Sequence, residues 1–485
     1  MSDKTPNIKK NFILSTFYQV LKIITPFITT PYVSRVLEPN RVGIYSYTYA
    51  YVTYFTLFAA LGTVSYGSRE IARNRDDKKA YTKLFWEIEL LTIITTCACL
   101  IGWGIWILFH EKYRIYYIIL TLCLFATLFD ISWFYTGLEQ FKNIVGVNSF
   151  FKILSVVAIF LFVKDTGDLA VYILILSLSM VLGNLSMWIY LPKYLLKLDD
   201  KKLQIKRHFK ETLIYFIPAV ATTIYTVLDK TLIGLITKSE YENGYYEQAT
   251  KIITMAQSVT FTAINSVLGA RISYLFAEEK YDEIHRRIKK SMNYILFMGI
   301  GICFGLIAVS DRFVPFFFGP GYDKVALLLK LMSPLIIIIG VSNCLGSQYY
   351  SPAGLRSTSA KFIVIGSCVN LVCNLCFIPV INSYGAVVAT LIAESTISIL
   401  YLRFCNGYLT MKIIIKQSWK KIIAGVIMLL VIWAINGIFE SNILATVVEV
   451  VVGVGVYGSC LLFMKDEFIA NTFREILSKF VRRKT

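Results

Sequence analysis

Three histidines in 485 residues, and 31 acidic side chains against 49 basic ones, leave little material for the usual chemistry of a soluble enzyme. The histidines (His110, His208 and His285) sit at the edges of apolar stretches or in the short segments between them, so a histidine-based metal or catalytic cluster has almost nothing to draw on. Cysteine is equally unpromising. Ten are present, almost all inside apolar stretches, and the one Cys-x-x-Cys pair, Cys373 and Cys376, has no second pair to complete a zinc site. Packing as small, soft side chains accounts for them. Long polar stretches are missing too: among the gaps on one side of the apolar runs, the longest goes only from Asp311 to Lys324. A membrane-embedded polysaccharide polymerase or glycosyltransferase needs a sizeable loop or an acidic-x-acidic domain, and the sequence has neither. The reading is of a protein that is not an enzyme.

What fills the chain instead is hydrocarbon. Apolar residues make up 56% of it, and they fall into fourteen stretches of about twenty residues, from 12–35 to 443–464. About twenty helical residues cross a bilayer core of about 30 Å. The expected fold is therefore an all-α integral membrane protein with about 14 transmembrane helices. About 35 of the 49 Lys and Arg lie at the N-terminus, after even-numbered spans or in the C-terminal tail. The positive-inside rule puts both termini in the cytoplasm. The net charge of +18 then reflects this bias and an attraction to anionic membrane lipids, and no nucleic-acid partner is expected. The polar start MSDKTPNIKKNF precedes no cleavage site of small residues, so the first span reads as an uncleaved anchor.

An internal repeat is visible. ITPFITTPYVSRVL leading into GIYSYTYAY matches FIPAVATTIYTVLDK leading into GYYEQATKI, which pairs Pro26 with Pro218 and Gly43 with Gly244. Six spans separate the copies, so the halves share one orientation, a plan common to transporters with a site near the midplane. The expected organisation is an N-lobe over 1–195 (spans 1–6), a C-lobe over 196–408 (spans 7–12), two extra helices over 409–464, and a basic amphipathic tail over 465–485, with the two six-helix lobes around a central lumen. Proline at matching places in spans 1 and 7 predicts matching bends.

Charges inside spans mark the candidate site, because each costs about 2.5–3.5 kcal/mol at the bilayer centre unless it has a partner or water. In span 1 (12–35), Lys22 lies on a stripe with Gln19, Pro26 and Thr29; in span 7 (212–237), Thr222, Tyr225 and Asp229 repeat it. In span 8 (247–275), Glu247, Lys251, Thr254 and Ser258 do so again, with Glu247 and Lys251 spaced to pair. Span 2 (42–66) adds a tyrosine run that includes Tyr45 and Tyr49, flat rings with polar rims suited to sugars. Such stripes line a wet lumen or hydrogen-bond helices to one another. Basic groups in a lumen suit a phosphate-bearing, partly sugar-like ligand.

The motifs PFITTPYVSRVLEP, YGSREIARNRDDK from Tyr66, SWFYTGLEQFK from Ser132, ENGYYEQATKI from Glu242, ARISYLFAEEK from Ala270, FGPGYD from Phe318 and QYYSPAG from Gln348 follow one another along the chain. Together with NLVCNLCFIPVINSYGAVVATLIAE from Asn370, they resemble the pattern of Wzx-type (RfbX-like) flippases of the multidrug/oligosaccharidyl-lipid/polysaccharide exporter superfamily. The resemblance implies a flippase that turns undecaprenyl-pyrophosphate-linked oligosaccharide units outward across a bacterial inner membrane by alternating access, for capsule, O-antigen or exopolysaccharide assembly. Polysaccharide polymerase machinery would be its partner. On this reading Lys22, Lys251 and Arg271 bind the pyrophosphate and Tyr45, Tyr49 and Tyr225 contact sugar. Asp229 or Glu394 takes H+ or Na+, and no other cofactor or metal is needed. The alternative is a cation-coupled drug exporter of the same superfamily, for which a more acidic lumen is expected. Where relatives often carry proline before Arg271, this chain reads LGARIS, so no bend is expected there.

Overall fold

The computed structural model describes residues 8–197, 203–436 and 443–469, and every regular element among them is helical. The chain divides into two compact units, Met1–Gly244 and Tyr245–Thr485.

The first unit opens with α1 (Ile8–Ala60), two helical arms joined at Glu38, whose φ of 62° is non-helical. Pro39 is the cause, since its ring disfavours helical angles in the residue before it. The arms correspond to spans 1 and 2. Pro26 keeps helical angles, and the break falls at Glu38, between the two spans. Then come α2 (Thr63–Arg73), α3 (Lys78–Phe109), α4 (Arg114–Leu128), α5 (Ser132–Gly137), α6 (Phe141–Phe162), α7 (Leu169–Met187) and α8 (Ile205–Thr237). The Asp77 carboxylate caps α3 by accepting from the N–H groups of Lys79 and Ala80 at 2.9 and 3.1 Å. Val33, Leu37 and Val52 of α1 bury against Trp103, Leu120 and Ile173.

Two of the sequence motifs prove to be the two faces of one joint. A Cβ on Gly67 of α2 would lie 2.5 Å from the Trp133 ring of α5, and one on Gly137 would lie 2.7 Å from the Cβ of Ile71. Tyr66, next in line, donates its hydroxyl to Glu211 of α8 and meets His208 Nδ1 at 2.7 Å. His208 Nε2 is in turn 2.8 Å from Glu87 of α3, whose other oxygen accepts from the backbone N–H of Gln204. This buried network ties α8 to α2 and α3, and α8 also packs along α1. The boundary between units accordingly falls after Gly244, whereas the repeat alone places it at 195.

The far end of α8 is held as well. Glu240, which opens α9 (Glu240–Gln257), accepts from Lys112 Nζ and the Tyr113 hydroxyl, both at 2.7 Å. Beside it, residues 39–43 cross residues 240–244 at backbone contact. A Cβ on Gly43 would lie 1.7 Å from the Glu240 carbonyl oxygen, and one on Gly244 would lie 2.0 Å from that of Pro39. The glycines paired by the repeat thus meet in space, and each is needed for the other's approach.

The second unit continues from α9 through a π-helical turn, Ser258–Thr262, into α10 (Ala263–Ala277). It goes on through α11 (Tyr281–Phe318), α12 (Asp323–Met332), α13 (Leu335–Leu345), a second π-turn at Gly346–Tyr350, α14 (Arg356–Ile381), α15 (Ser383–Arg403), α16 (Met411–Asn436) and α17 (Ile443–Phe463). Its core gathers Ile288, Met292, Ile295, Leu345, Tyr350 and Tyr401. Gly385 lets α15 turn back on α14, where a Cβ would lie 2.4 Å from the Phe377 backbone. Helices α16 and α17, which stand outside the repeat, pack on α11. Arg312 pairs with the fully buried Glu449 at 2.9 Å, and Lys421 bonds Asp466 at 3.0 Å and Asn293 at 2.8 Å.

Among the described residues, nine helices are long and apolar enough to cross a membrane, and the α12–α13 pair, bent by 42°, makes a tenth. The chain is a multi-pass membrane protein. The amphipathic tail falls mostly outside the described residues, which end at 469.

Two outcomes follow from the crossing. Gly43→Ala should destabilise the purified protein by about 1–3 kcal/mol through overpacking, while Gly455→Ala, with open space around it, should leave the melting temperature unchanged or slightly raised. Equal effects would remove the crossing as the cause. Burial pushes the Glu240 carboxyl up, but the bonds from Lys112 and Tyr113 outweigh it and hold the group below the usual 4.5. A carboxyl lowered on folding stabilises above its unfolded value and loses that contribution as pH falls through the folded one. The gap in melting temperature between wild type and Glu240→Gln should therefore be full near neutrality and close below about pH 4.5; a gap that persists in acid contradicts the latch.

Candidate functional site

The α9–α10 run carries the polar stripe in the second unit. Lys251 Nζ lies 3.6 Å from Glu247 Oε1, one helical turn away, with the carboxylate buried and the lysine side chain 23% exposed. Thr254 and Ser258 follow on exposed positions, each donating its hydroxyl to the carbonyl four residues back at 2.8 Å. Spending the hydrogen on the backbone turns the hydroxyl lone pairs outward. Beyond the π-turn, the Asn265 side-chain amide donates to Asn343 of α13. Gln348 then donates to Asn265 at 2.8 Å and to Ser291 of α11 at 2.7 Å, while its own carbonyl oxygen is buried without a hydrogen bond. These amides were not singled out from the sequence, where Gln348 figures only as the start of QYYSPAG. The two π-turns flank them, and such turns recur where a helix serves a functional surface.

Arg271 is exposed on α10, its guanidinium 5.1 Å from the centre of the Tyr274 ring. Twenty residues of helix separate it from Lys251, a rise of about 30 Å. That is the thickness of the hydrocarbon core. A run that stays straight through its π-turn would hold the two cations too far apart for one diphosphate to touch both.

In the first unit, Tyr45 and Tyr49 are half-buried, 5.4 Å apart, with Tyr45 edge-on to Tyr172 at 5.3 Å. Their neighbours Tyr47 and Tyr51 turn inward, their hydroxyls 3.1 Å apart and the Tyr51 ring 4.7 Å from Trp106. The tyrosine run thus divides between core packing and a partly open face. Asp229 of α8 is buried, close to Tyr54, whose hydroxyl meets Thr231 at 3.1 Å. Glu394, on α15 of the second unit, is also buried. The side chains of Lys22 and Tyr225 lie outside the described ones. Among the described residues no three His, Cys, Asp or Glu gather as a metal site, and Cys373 and Cys376 are both free thiols.

Comparison with known proteins agrees with this architecture. A family described as polysaccharide biosynthesis protein matches residues 8–276. The putative O-antigen transporter of Escherichia coli (strain K12) is 22% identical over 412 residues, 84% of this chain and 99% of the relative. The probable low-salt glycan biosynthesis flippase Agl15 of Haloferax volcanii is 22% identical over 271 residues, 54% of each chain. Among solved structures, the lipid II flippase MurJ in an inward closed conformation superposes with a TM-score of 0.72 at 17% identity, over 94% of this chain and 99% of MurJ. An outward-facing MATE multidrug transporter of the MOP superfamily superposes with a TM-score of 0.54 at 13% identity, over 83% of this chain and 93% of its own. With the family matched over more than half its length and the fold shared, the chain belongs to the polysaccharide biosynthesis protein family.

Proposed function

We propose that the protein is a flippase for lipid-linked polysaccharide precursors, and that its substrate is an undecaprenyl-pyrophosphate-linked oligosaccharide moved outward across a bacterial inner membrane by alternating access, with both termini in the cytoplasm. The observation that carries the reading is the Glu247–Lys251 pair on a hydroxyl- and amide-bearing stripe of a helix flanked by apolar spans. The names borne by the E. coli and H. volcanii relatives support it.

Glu247 acts as a stand-in anion. In the empty carrier it holds the Lys251 ammonium at 3.6 Å, and an incoming phosphate oxygen takes its place. Arg271, about 30 Å along the same run of helix, meets the pyrophosphate at the other end of its path. Lys22 serves span 1 in the same role, while Tyr45, Tyr49 and Tyr225 offer ring faces to sugar. Moving two negative charges out of a negative interior gains about 2.3 kcal/mol per charge per 100 mV, about 4.6 in all. Asp229 or Glu394 then takes H+ or Na+ and resets the empty carrier, and polysaccharide polymerase machinery receives the product.

Deleting the gene in its native host should make the lipid-linked intermediate accumulate on the inner leaflet while surface polysaccharide is lost. Lys251→Ala should fail to restore export despite normal insertion, with transport reduced about ten- to hundred-fold, the worth of one charged hydrogen bond; Lys251→Arg should retain part. Normal export by Lys251→Ala would refute the lysine's role, and absence of the intermediate after deletion would refute the substrate class.

A further inference from the structure

Glu89 on α3 is 0% exposed, and neither of its carboxylate oxygens has a hydrogen bond. Burying a bare carboxylate costs several kcal/mol, and that cost has to be offset by something. Asp130, just past the end of α4, is near enough for its charge to act on Glu89, which makes matters worse if both are ionised. One oxygen of Asp130 accepts from the backbone N–H of Ser132 at 2.9 Å.

Asp130 also lines a cavity of about 250 Å³ within the first unit, together with Thr53, Thr56, Thr63, Thr92 and Thr127. Those five hydroxyls donate to carbonyls three or four residues back, at 2.6–3.1 Å, four within their own helix and Thr63 to Ala60 at the end of α1. Each therefore turns lone pairs toward the space. Thr92 is one turn from Glu89 on the same face of α3, and Thr96, one turn further, has a buried hydroxyl with no hydrogen bond. The volume holds several waters but no sugar–lipid headgroup. A chamber that presents acceptors beside the Asp130 carboxylate, with the bare Glu89 carboxylate one turn from its Thr92, is complementary to a small cation.

The charged and titratable groups around it are accounted for element by element. From α1, Tyr18 lies near Asp130; from α2 and α8, Tyr66, His208 and Glu211 engage one another, and His208 turns to Glu87, which points away from Glu89 on its own helix. We infer that Glu89 and Asp130 form a monovalent-cation site, for Na+ or a proton, reached through this threonine-lined cavity and separate from Asp229 and Glu394. The ion neutralises the carboxylate pair and stiffens the α3–α4 end of the first unit. The inference stands apart from the substrate reading, since binding needs no lipid-linked sugar.

The test uses the full-length protein purified in detergent, melted in sodium chloride and in choline chloride at equal ionic strength, across mildly acidic to mildly alkaline pH. If Na+ is the ion, sodium raises the melting temperature of wild type by a few degrees, through binding to the folded state alone. Glu89→Gln and Asp130→Asn each lower that rise, and Glu111→Gln, at an exposed carboxylate away from the cavity, keeps it in full. If a proton is the ion, sodium does nothing, but wild-type melting depends on pH and Glu89→Gln flattens the dependence. Should Glu89→Gln not fold, Asp130→Asn reports the same loss, and Thr92→Val should weaken sodium binding several-fold while leaving both carboxylates. A wild type that responds to neither ion overturns the site. A response that both carboxylate substitutions leave undiminished overturns it too.

Discussion

Hydrogen-bonding and charged groups inside hydrocarbon must be given partners or water, and most of what distinguishes this chain is how it meets that requirement. Three solutions appear side by side. Around α16 and α17 charges are sealed in pairs, Arg312 with Glu449 and Lys421 with Asp466. Around α8 they are chained through Tyr66, His208 and Glu87. Along α9–α10 they are left on an accessible stripe, with Lys251 and Glu247 at 3.6 Å and hydroxyls exposed. The first two solutions hold helices together. The third leaves groups available to a ligand.

That distinction bears on where the helices are fixed. Apolar spans such as α14 and α17 need only meet lipid and a neighbour. The α9–α10 run carries polar side chains on an accessible stripe, which demands close fixing elsewhere. The backbone crossing of residues 39–43 with 240–244 and the Glu240 latch supply such fixing at one end, and the α2–α5 glycine joint with the His208 network supplies it at the other.

Much of this was legible in the sequence because periodicity and spacing are local. The break between spans 1 and 2, the pairing of Glu247 with Lys251 and the equivalence of Gly43 with Gly244 all came from short-range patterns. What the glycines do was not legible, since the partner of Gly43 lies some two hundred positions away. The same holds for Glu89 and Asp130, on different helices, and for Asn265, Asn343 and Gln348, whose amides look ordinary until three helices bring them together. Repeat counting sees that span 7 opens the second copy, but not that His208 and Glu211 tie it to α2 and α3. Membership of a helix in a packed unit is decided by burial of such groups, not by the order of duplication.

The separation of Lys251 from Arg271 changes what a cationic path can mean here. Two cations at one depth would trap a diphosphate, since each charged hydrogen bond is worth about 1.5–3 kcal/mol and both would have to break for release. Two cations a bilayer apart give a ligand one strong contact at a time. On the proposed reading, Glu247 sharpens the point: with a carboxylate one turn away at 3.6 Å, a departing phosphate would leave Lys251 a partner. The net affinity at that end is the difference between phosphate and carboxylate as partners, which is much smaller than either. A carrier needs that moderation, because a site that binds its cargo too well does not turn over.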